Sequence, residues 1–546
     1  MKTKPLITVF VTLVIALSSS AFAASPAGFS SNDNQQSGDL IQRLMKPMSS
    51  ITYGTVTIEG KQVNYEAVAG TLVVNGAGAM ESTPEVAMSY FAYFKRGADP
   101  SKRPITFLYN GGPGSSSLWL QMGAFGPKRV QTNGHAHTPA APYKLVNNEY
   151  SLLDATDLVF IDMPDTGFGR LLPQGKDAAD RSADRKKLAK AIWSIDGDAQ
   201  VFSRFITQFL SRYDRWNSPK FLYGESYGTT RSAVVADILE QQDNIDLNGV
   251  ILQSQVLNLN LSLDGPHRDP GINLPYMLAL PSYAATAWYY HKLPEYNRSE
   301  LGPLLEQAIE FANTDYERAL SAGSTLSESK EQQIAEKLHD LTGLPATYWV
   351  QADLRVSGQM FEHELLNGTD TTIGHLDSRF SGPSMDPLSE RSYYDPQASA
   401  IGSAYVSMFN EYTRDTLKFG QNMHYRTTIY GLSGFHWNWK HIVRGQWYER
   451  GGVANVMPDL ARAMIYNPDL KLMLNAGFYD LTTAFDAQIY EDEQLPIPRS
   501  LYKNITYAFY PSGHMIYVNV PSLHELHDNV ARFIAGADSR SNLGKE

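Results

Sequence analysis

The chain has 546 residues, with 46 Lys and Arg against 57 Asp and Glu for a net charge of −11, and it is 43% hydrophobic and 11% aromatic. These proportions suit a packed globular protein and exclude a disordered, collagen-like or coiled-coil chain; the acidic balance leaves no footprint for nucleic acid or an anionic membrane surface. Cysteine is absent, which rules out disulfides, thiol catalysis, Cys-ligated zinc and iron–sulfur clusters.

In chain order, the first feature is a secretory signal peptide over residues 1–23. Lys2 and Lys4 precede an apolar run from Leu6 to Leu17, and Ala21-Phe22-Ala23 supplies the small residues of a cleavage site before Ala24. The run is shorter than the ~20 residues a membrane span needs. The expectation is therefore an exported protein, periplasmic or secreted, without stable membrane association after cleavage. Residues 24–50 read as a flexible leader, rich in Ser, Asn, Gln and Gly at the start.

Strands are expected next. Thr55–Ile58 and Gln62–Tyr65 flank a Glu59-Gly60-Lys61 turn, followed by strands over 68–75, 88–95 and 104–109. Short apolar runs at 157–162, 220–223, 249–252 and 471–474, bounded by turn residues, fit buried strands of a mostly parallel sheet, and a further strand is expected at 505–510. Helical patterns lie between them, at about 184–212, 229–241 and 454–466. Alternation of this kind specifies an α/β fold. Its parts are expected at 51–272 and 453–538, interrupted by a largely helical insertion, or cap, at 273–452 that walls a cleft; residues 539–546 form a tail.

The sharpest chemical signal is Gly224-Glu225-Ser226-Tyr227-Gly228, a G-x-S-x-G between a strand and a helix. Such a nucleophile elbow lifts the Ser226 hydroxyl above the sheet, and the Tyr227 backbone N–H then faces a developing oxyanion. A serine needs a base and the base an orienting acid, in the chain order serine, acid, histidine. Asp480 follows the 471–474 strand, and His514 sits in a Ser-Gly turn after 505–510. Both fit. Asn110-Gly111-Gly112-Pro113-Gly114, directly after the 104–109 strand, offers a second oxyanion donor from a backbone N–H; no Lys follows it, against a phosphate loop.

These segments together resemble the serine carboxypeptidases. The family's W-N-G-G-P-G-C-S-S stands here as Tyr109 to Ser117, with Ser115 for the cysteine. Its D-x-P-x-x-x-G-F is Asp162 to Phe168 with one residue fewer, and its G-E-S-Y-[GA]-G is Gly224 to Thr229. Its G-x-x-D and G-H-M motifs are Gly477 to Asp480 and Gly513-His514-Met515. The resemblance implies an α/β-hydrolase fold and a carboxypeptidase acting on peptide or protein C-termini through an acyl-enzyme, with no metal or cofactor. It implies Ser226 as nucleophile, His514 as general base and then acid, and Asp480 as its orienter. Gly112 and Tyr227 would form the oxyanion hole, and Asn110 and Glu225 would bind the substrate's terminal carboxylate. The family's second carboxylate-binding Glu is replaced by Ala124, two residues before Gly126-Pro127. That departure points to a pH optimum nearer neutrality and leaves a serine esterase or acyltransferase on the same triad as an alternative; a second, a non-catalytic binding protein of the same fold, has the intact Ser226, Asp480 and His514 against it. Oligomeric state and side-chain specificity are left open.

Other segments read more plainly. His135 and His137 form an H-x-H best taken as a solvated loop. Trp437-Asn438-Trp439 reads first as core of the insertion, with cleft lining as the alternative. Glu491-Asp492-Glu493 reads as a solvated face.

Overall fold

The computed structural model of the protein describes residues 39–262, 270–293, 300–443 and 454–537. The signal peptide, most of the leader and the 539–546 tail lie outside the described residues.

Nine strands carry the main sheet: β1 (Met48–Ile58), β2 (Lys61–Asn75), β3 (Pro84–Lys95), β4 (Ile105–Tyr109), β5 (Asp157–Ile161), β6 (Lys220–Glu225), β7 (Gly249–Gln253), β8 (Lys471–Gly477) and β9 (Ile505–Tyr510). Their order is β1-β2-β3-β5-β4-β6-β7-β8-β9, and the two-residue strand Arg170–Leu171 pairs with β3. The first three strands and the β3–β5 pair are antiparallel. From β5 to β9 every pairing is parallel. The antiparallel half follows from its turn: β1 and β2 are joined by Glu59 and Gly60 alone, at φ 46° and 78°, the left-handed pair that matches strand twist in a two-residue hairpin. The two short strands expected at 62–65 and 68–75 are one continuous strand, since no turn residue separates them.

The connections run one way from β4 to β5 and the other way from β6 onward, so the order reverses between β4 and β6. In an open parallel sheet that reversal leaves a crevice at the carboxyl ends of the strands. The loop after β4 begins at Asn110, the loop after β6 at Ser226, and those after β8 and β9 carry Asp480 and His514. This is the α/β-hydrolase fold.

Helices cover both faces. The single helix expected over 184–212 is two, Ala178–Ile192 and Ile195–Arg212, because Ser194 turns out of the first and caps the second, its Oγ accepting from Gly197 N at 3.0 Å. One face packs Phe202, Phe205 and Phe209 with Val234 and Leu460; the other packs Leu120 and Phe125 with Tyr405, Phe409 and Leu526.

The stretch 273–452 divides in two. Helices Leu274–Tyr289, Leu301–Phe311, Glu328–Thr342 and Gly358–Glu364 enclose a core of their own around Trp349, Tyr283 and Phe361, the last two rings stacked at 4.0 Å. From Phe380 the chain returns to the sheet: helix Pro396–Glu411 buries Ile401, Ala404, Tyr405 and Phe409, at helical spacing, in the same core as Leu120. The expected insertion is thus not one cap: its part from Phe380 through helix Pro396–Glu411 packs in the sheet's own core.

Candidate active site

Strand β6 ends at Glu225, and helix Tyr227–Gln241 begins two residues later. Ser226 makes the turn between them at φ 60°, ψ −131°, a conformation that costs a non-glycine residue of order 1–3 kcal/mol and is found where function needs it. The flanking glycines permit it. A Cβ on Gly224 would lie 2.2 Å from the Gly228 carbonyl oxygen, so strand and helix can approach this closely only without side chains there. Ser226 N donates to the Gln253 carbonyl at 3.0 Å, tying the elbow to β7.

His514 and Asp480 come together as a buried pair. His514 Nδ1 lies 2.8 Å from Asp480 Oδ2, and the two residues are 3% and 0% exposed. Asp480 also accepts from Thr482 N at 2.8 Å, Thr483 N at 2.9 Å and Thr483 Oγ1 at 2.7 Å. Charge-assisted bonds of this kind fix the carboxylate and, through it, the imidazole. Burial by itself would lower the His514 pKa. The Asp480 charge and hydrogen bond outweigh it, with Glu225 adding to them, and His514 is raised above its ordinary value. Ser226 and His514 face one cavity of about 640 Å³.

The loop after β4 supplies the other wall. A Cβ on Gly111 would sit 2.4 Å from Tyr227 N, so the glycine loop lies directly against the amide that starts the helix. Gly112 and Tyr227 both line the cavity with Ser226, which brings the two oxyanion candidates to the nucleophile. Asn110 is held at four points, its backbone N donating to Ser117 Oγ at 3.2 Å. Its Nδ2 donates to Glu225 Oε1 at 2.8 Å, its Oδ1 accepts from Leu120 N at 3.1 Å, and its carbonyl accepts from Arg231 Nη1 at 2.9 Å. Arg231 is buried against Asp198 at 2.6 Å. Glu225 also accepts from Gln253 Nε2 at 3.1 Å. Burial pushes the Glu225 carboxyl up to about 7, against the pull of His514, Tyr517 and Asn110 and with Asp480 adding to the rise. Asn110 and Glu225, the sequence-predicted carboxylate-binding pair, thus line the same cavity as Ser226 and His514. Ala124 is buried in a single π-helical turn, Leu120–Phe125, and presents no acid.

Several contributors have no sequence signal. The Glu362–His375 pair, joined through His375 Nδ1, lines the cavity from the inserted segment. Leu376, Asp377 and Arg379 clamp the histidine loop: His514 N donates to Leu376 O at 2.6 Å, Gly513 N to Asp377 Oδ2 at 3.1 Å, and Arg379 Nη1 to Pro511 O. No motif marks these residues, because their partners are brought to them by the fold.

Three plainer readings resolve as follows. Trp437 and Trp439 line the cavity, and they pack edge-on to the Tyr227 ring at 5.3 and 6.1 Å as part of the core over the sheet rather than a core of the insertion. His137 is exposed, as a solvated loop implies, whereas His135 is half-buried with its ring against Phe380 and Tyr289. Glu491 and Asp492 are not a solvated face; they are 2% and 0% exposed. Glu491 accepts from Leu257 N and Asn258 N at 2.9 and 2.7 Å, and Gln255 Nε2 donates to both carboxylates. They serve as internal caps for the loop after β7, an environment a run of acidic letters does not disclose.

Residues 68–279 match the family model described as serine carboxypeptidase. Among curated proteins, the P-(S)-hydroxymandelonitrile lyase of Sorghum bicolor is 28% identical over 165 residues, 30% of this chain and 28% of the lyase. The carboxypeptidase Y homolog of Arthroderma benhamiae is 29% identical over 198 residues, 35% of this chain and 34% of that protein. The matched stretch therefore spans about a third of each relative. A solved proline iminopeptidase from Mycobacterium smegmatis superposes at a TM-score of 0.33 with 12% identity over 90% of this chain and 100% of that one, a likeness too loose to argue from.

Proposed function

The chain belongs to the serine carboxypeptidase family, and from that premise we propose that it is an exported serine carboxypeptidase that removes C-terminal residues from peptides. One observation carries the reading: the Asp480–His514 pair and the strained Ser226 open on the same cavity as the buried Asn110–Glu225 pair.

The chemistry follows from the positions. Ser226 Oγ adds to the scissile carbonyl carbon as His514 Nε2 takes the hydroxyl proton, while Asp480 stabilises the imidazolium. The Gly112 and Tyr227 amides receive the oxyanion, a service worth roughly 10²–10³ in rate per donor. Collapse expels the C-terminal amino acid, which leaves with the proton from His514, and the acyl group stays on Ser226. Water then adds to the ester carbonyl with His514 again as base, releasing the shortened peptide and restoring the serine. Asn110 Nδ2 and a protonated Glu225 hold the terminal carboxylate of the departing residue.

A second reading has its own support. With Ala124 in place of an acid, the carboxylate subsite has one titrating group, which favours an esterase or acyltransferase on the same residues if that subsite does not discriminate. Covalent labelling separates both enzyme readings from a binding protein. A fluorophosphonate should modify Ser226 stoichiometrically and leave Ser226→Ala untouched; equal labelling of both would refute an activated serine. Export is tested by N-terminal sequencing of the protein recovered outside the cytoplasm, with Ala24 the expected first residue and retention of Met1 the contrary result.

A further inference from the structure

Glu225 is hemmed in from every side. Tyr223 faces it from its own strand, Asn110 from the loop after β4 and Gln253 from β7. Asp480 comes from the loop after β8, His514 and Tyr517 from the loop after β9, and Tyr405 from helix Pro396–Glu411. Asn110 and Gln253 already donate to it. Tyr517 is the neighbour whose role is unspent. It is 2% exposed, and its hydroxyl completes no well-formed hydrogen bond among the described residues, although the Glu225 carboxylate and the Asn110 side chain lie within its reach. A buried donor left so is costly and calls for an explanation.

The ring is not free to turn elsewhere. A Cβ on Gly123 would come within 2.6 Å of Tyr517 Cδ2 and of the Tyr405 hydroxyl, so both tyrosines press on the backbone next to Ala124. The hydroxyl is thus aimed at the carboxylate pair by packing on the side where Ala124 supplies no polar atom. Being itself sealed from the cavity, it reaches a substrate only through Glu225.

We propose that Tyr517 is a positioning residue for recognition of the substrate's free carboxylate, its hydroxyl donating to Glu225 once substrate is bound. This rests on the carboxypeptidase reading. When Glu225 is protonated, its O–H donates to the substrate carboxylate and its other oxygen accepts from Tyr517. When Glu225 is ionised, the two carboxylates repel each other. Burial keeps the phenol protonated far above neutrality, so it never takes part in the titration, and recognition of the free acid depends on one proton alone. Removing a donor from the ionised carboxylate favours the protonated form.

The test compares an N-blocked dipeptide acid with its amide on wild-type protein and Tyr517→Phe, measuring KM and kcat from about pH 5 to 9. In the wild type the acid-over-amide preference should fall with a single-proton slope as pH rises through the Glu225 titration. In Tyr517→Phe the midpoint of that fall should move up by about half to one pH unit, through KM of the acid rather than kcat. A purely structural role would lower activity on both substrates and leave the midpoint in place, which would overturn the proposal. A two-proton slope in the wild type would overturn it without the variant, by revealing a second acid. A wild type with no preference for the acid fails at an earlier point and takes the carboxypeptidase reading with it.

Discussion

In the proposed carboxypeptidase reaction, His514 and Glu225 set opposite limits. As general base, His514 works unprotonated, and Asp480 holds its pKa above the ordinary value. Activity on any substrate should therefore fall as pH drops through the imidazole titration. Glu225 must be protonated to hold a carboxylate, and its carboxyl titrates at about 7. Activity on free-acid peptides should therefore also fall as pH rises through that value. The expected outcome is a bell-shaped kcat/KM near neutrality for free acids, and a curve for the matching amides that rises with pH and stays high. Stopped assays across pH read this directly. An alkaline fall of equal size for amides would assign that limb to some group other than Glu225.

At the scale of elements, the site is made of strand ends that local sequence specifies and a clamp that it does not. The elbow is legible because a Cβ on Gly224 would lie 2.2 Å from the Gly228 carbonyl oxygen and one on Gly228 would lie 2.8 Å from the Tyr109 carbonyl oxygen at the end of β4, and both demands fall within five consecutive residues. The glycine loop after β4 is legible for the same reason. The clamp was not. Asp377 and Arg379 hold the 511–514 turn through bonds that span more than a hundred residues of chain. Their side chains are 0% and 4% exposed, so removing one strands the other's charge. Arg379→Ala should cost about 3–5 kcal/mol of stability. In the protein that still folds, it should lower kcat by on the order of 100-fold through misplacement of His514. Denaturant unfolding and single-turnover kinetics check the two parts, and an undiminished kcat would show that the histidine loop holds itself.

Across the whole molecule, the reversal of strand order between β4 and β6 decides where chemistry can occur. It gathers Asn110, Ser226, Asp480 and His514 from four loops at one edge of the sheet. Alternating apolar runs and helical patterns made that sheet readable, since a buried parallel strand has no choice but to be apolar. Where the cap ends was not readable. Helix Pro396–Glu411 carries an apolar face as the cap helices before it do, and composition does not say which core its Ile401 and Phe409 will join. The same limit hid Glu362 and His375, which reach the cleft from a different layer, and the buried environment of Glu491 and Asp492. The cleft that results has Ser226 and His514 on its floor and Glu225, the one acid of the proposed carboxylate subsite, beside them. Whether that floor recognises a free C-terminus is the claim on which the rest depends. Release of the last residue from N-blocked dipeptides should be measured beside their C-terminal amides and simple esters, with Ser226→Ala as control. Strong preference for the free acids, lost in Ser226→Ala, is the expected result; ester cleavage without any such preference would contradict the carboxypeptidase and leave a serine hydrolase of another kind.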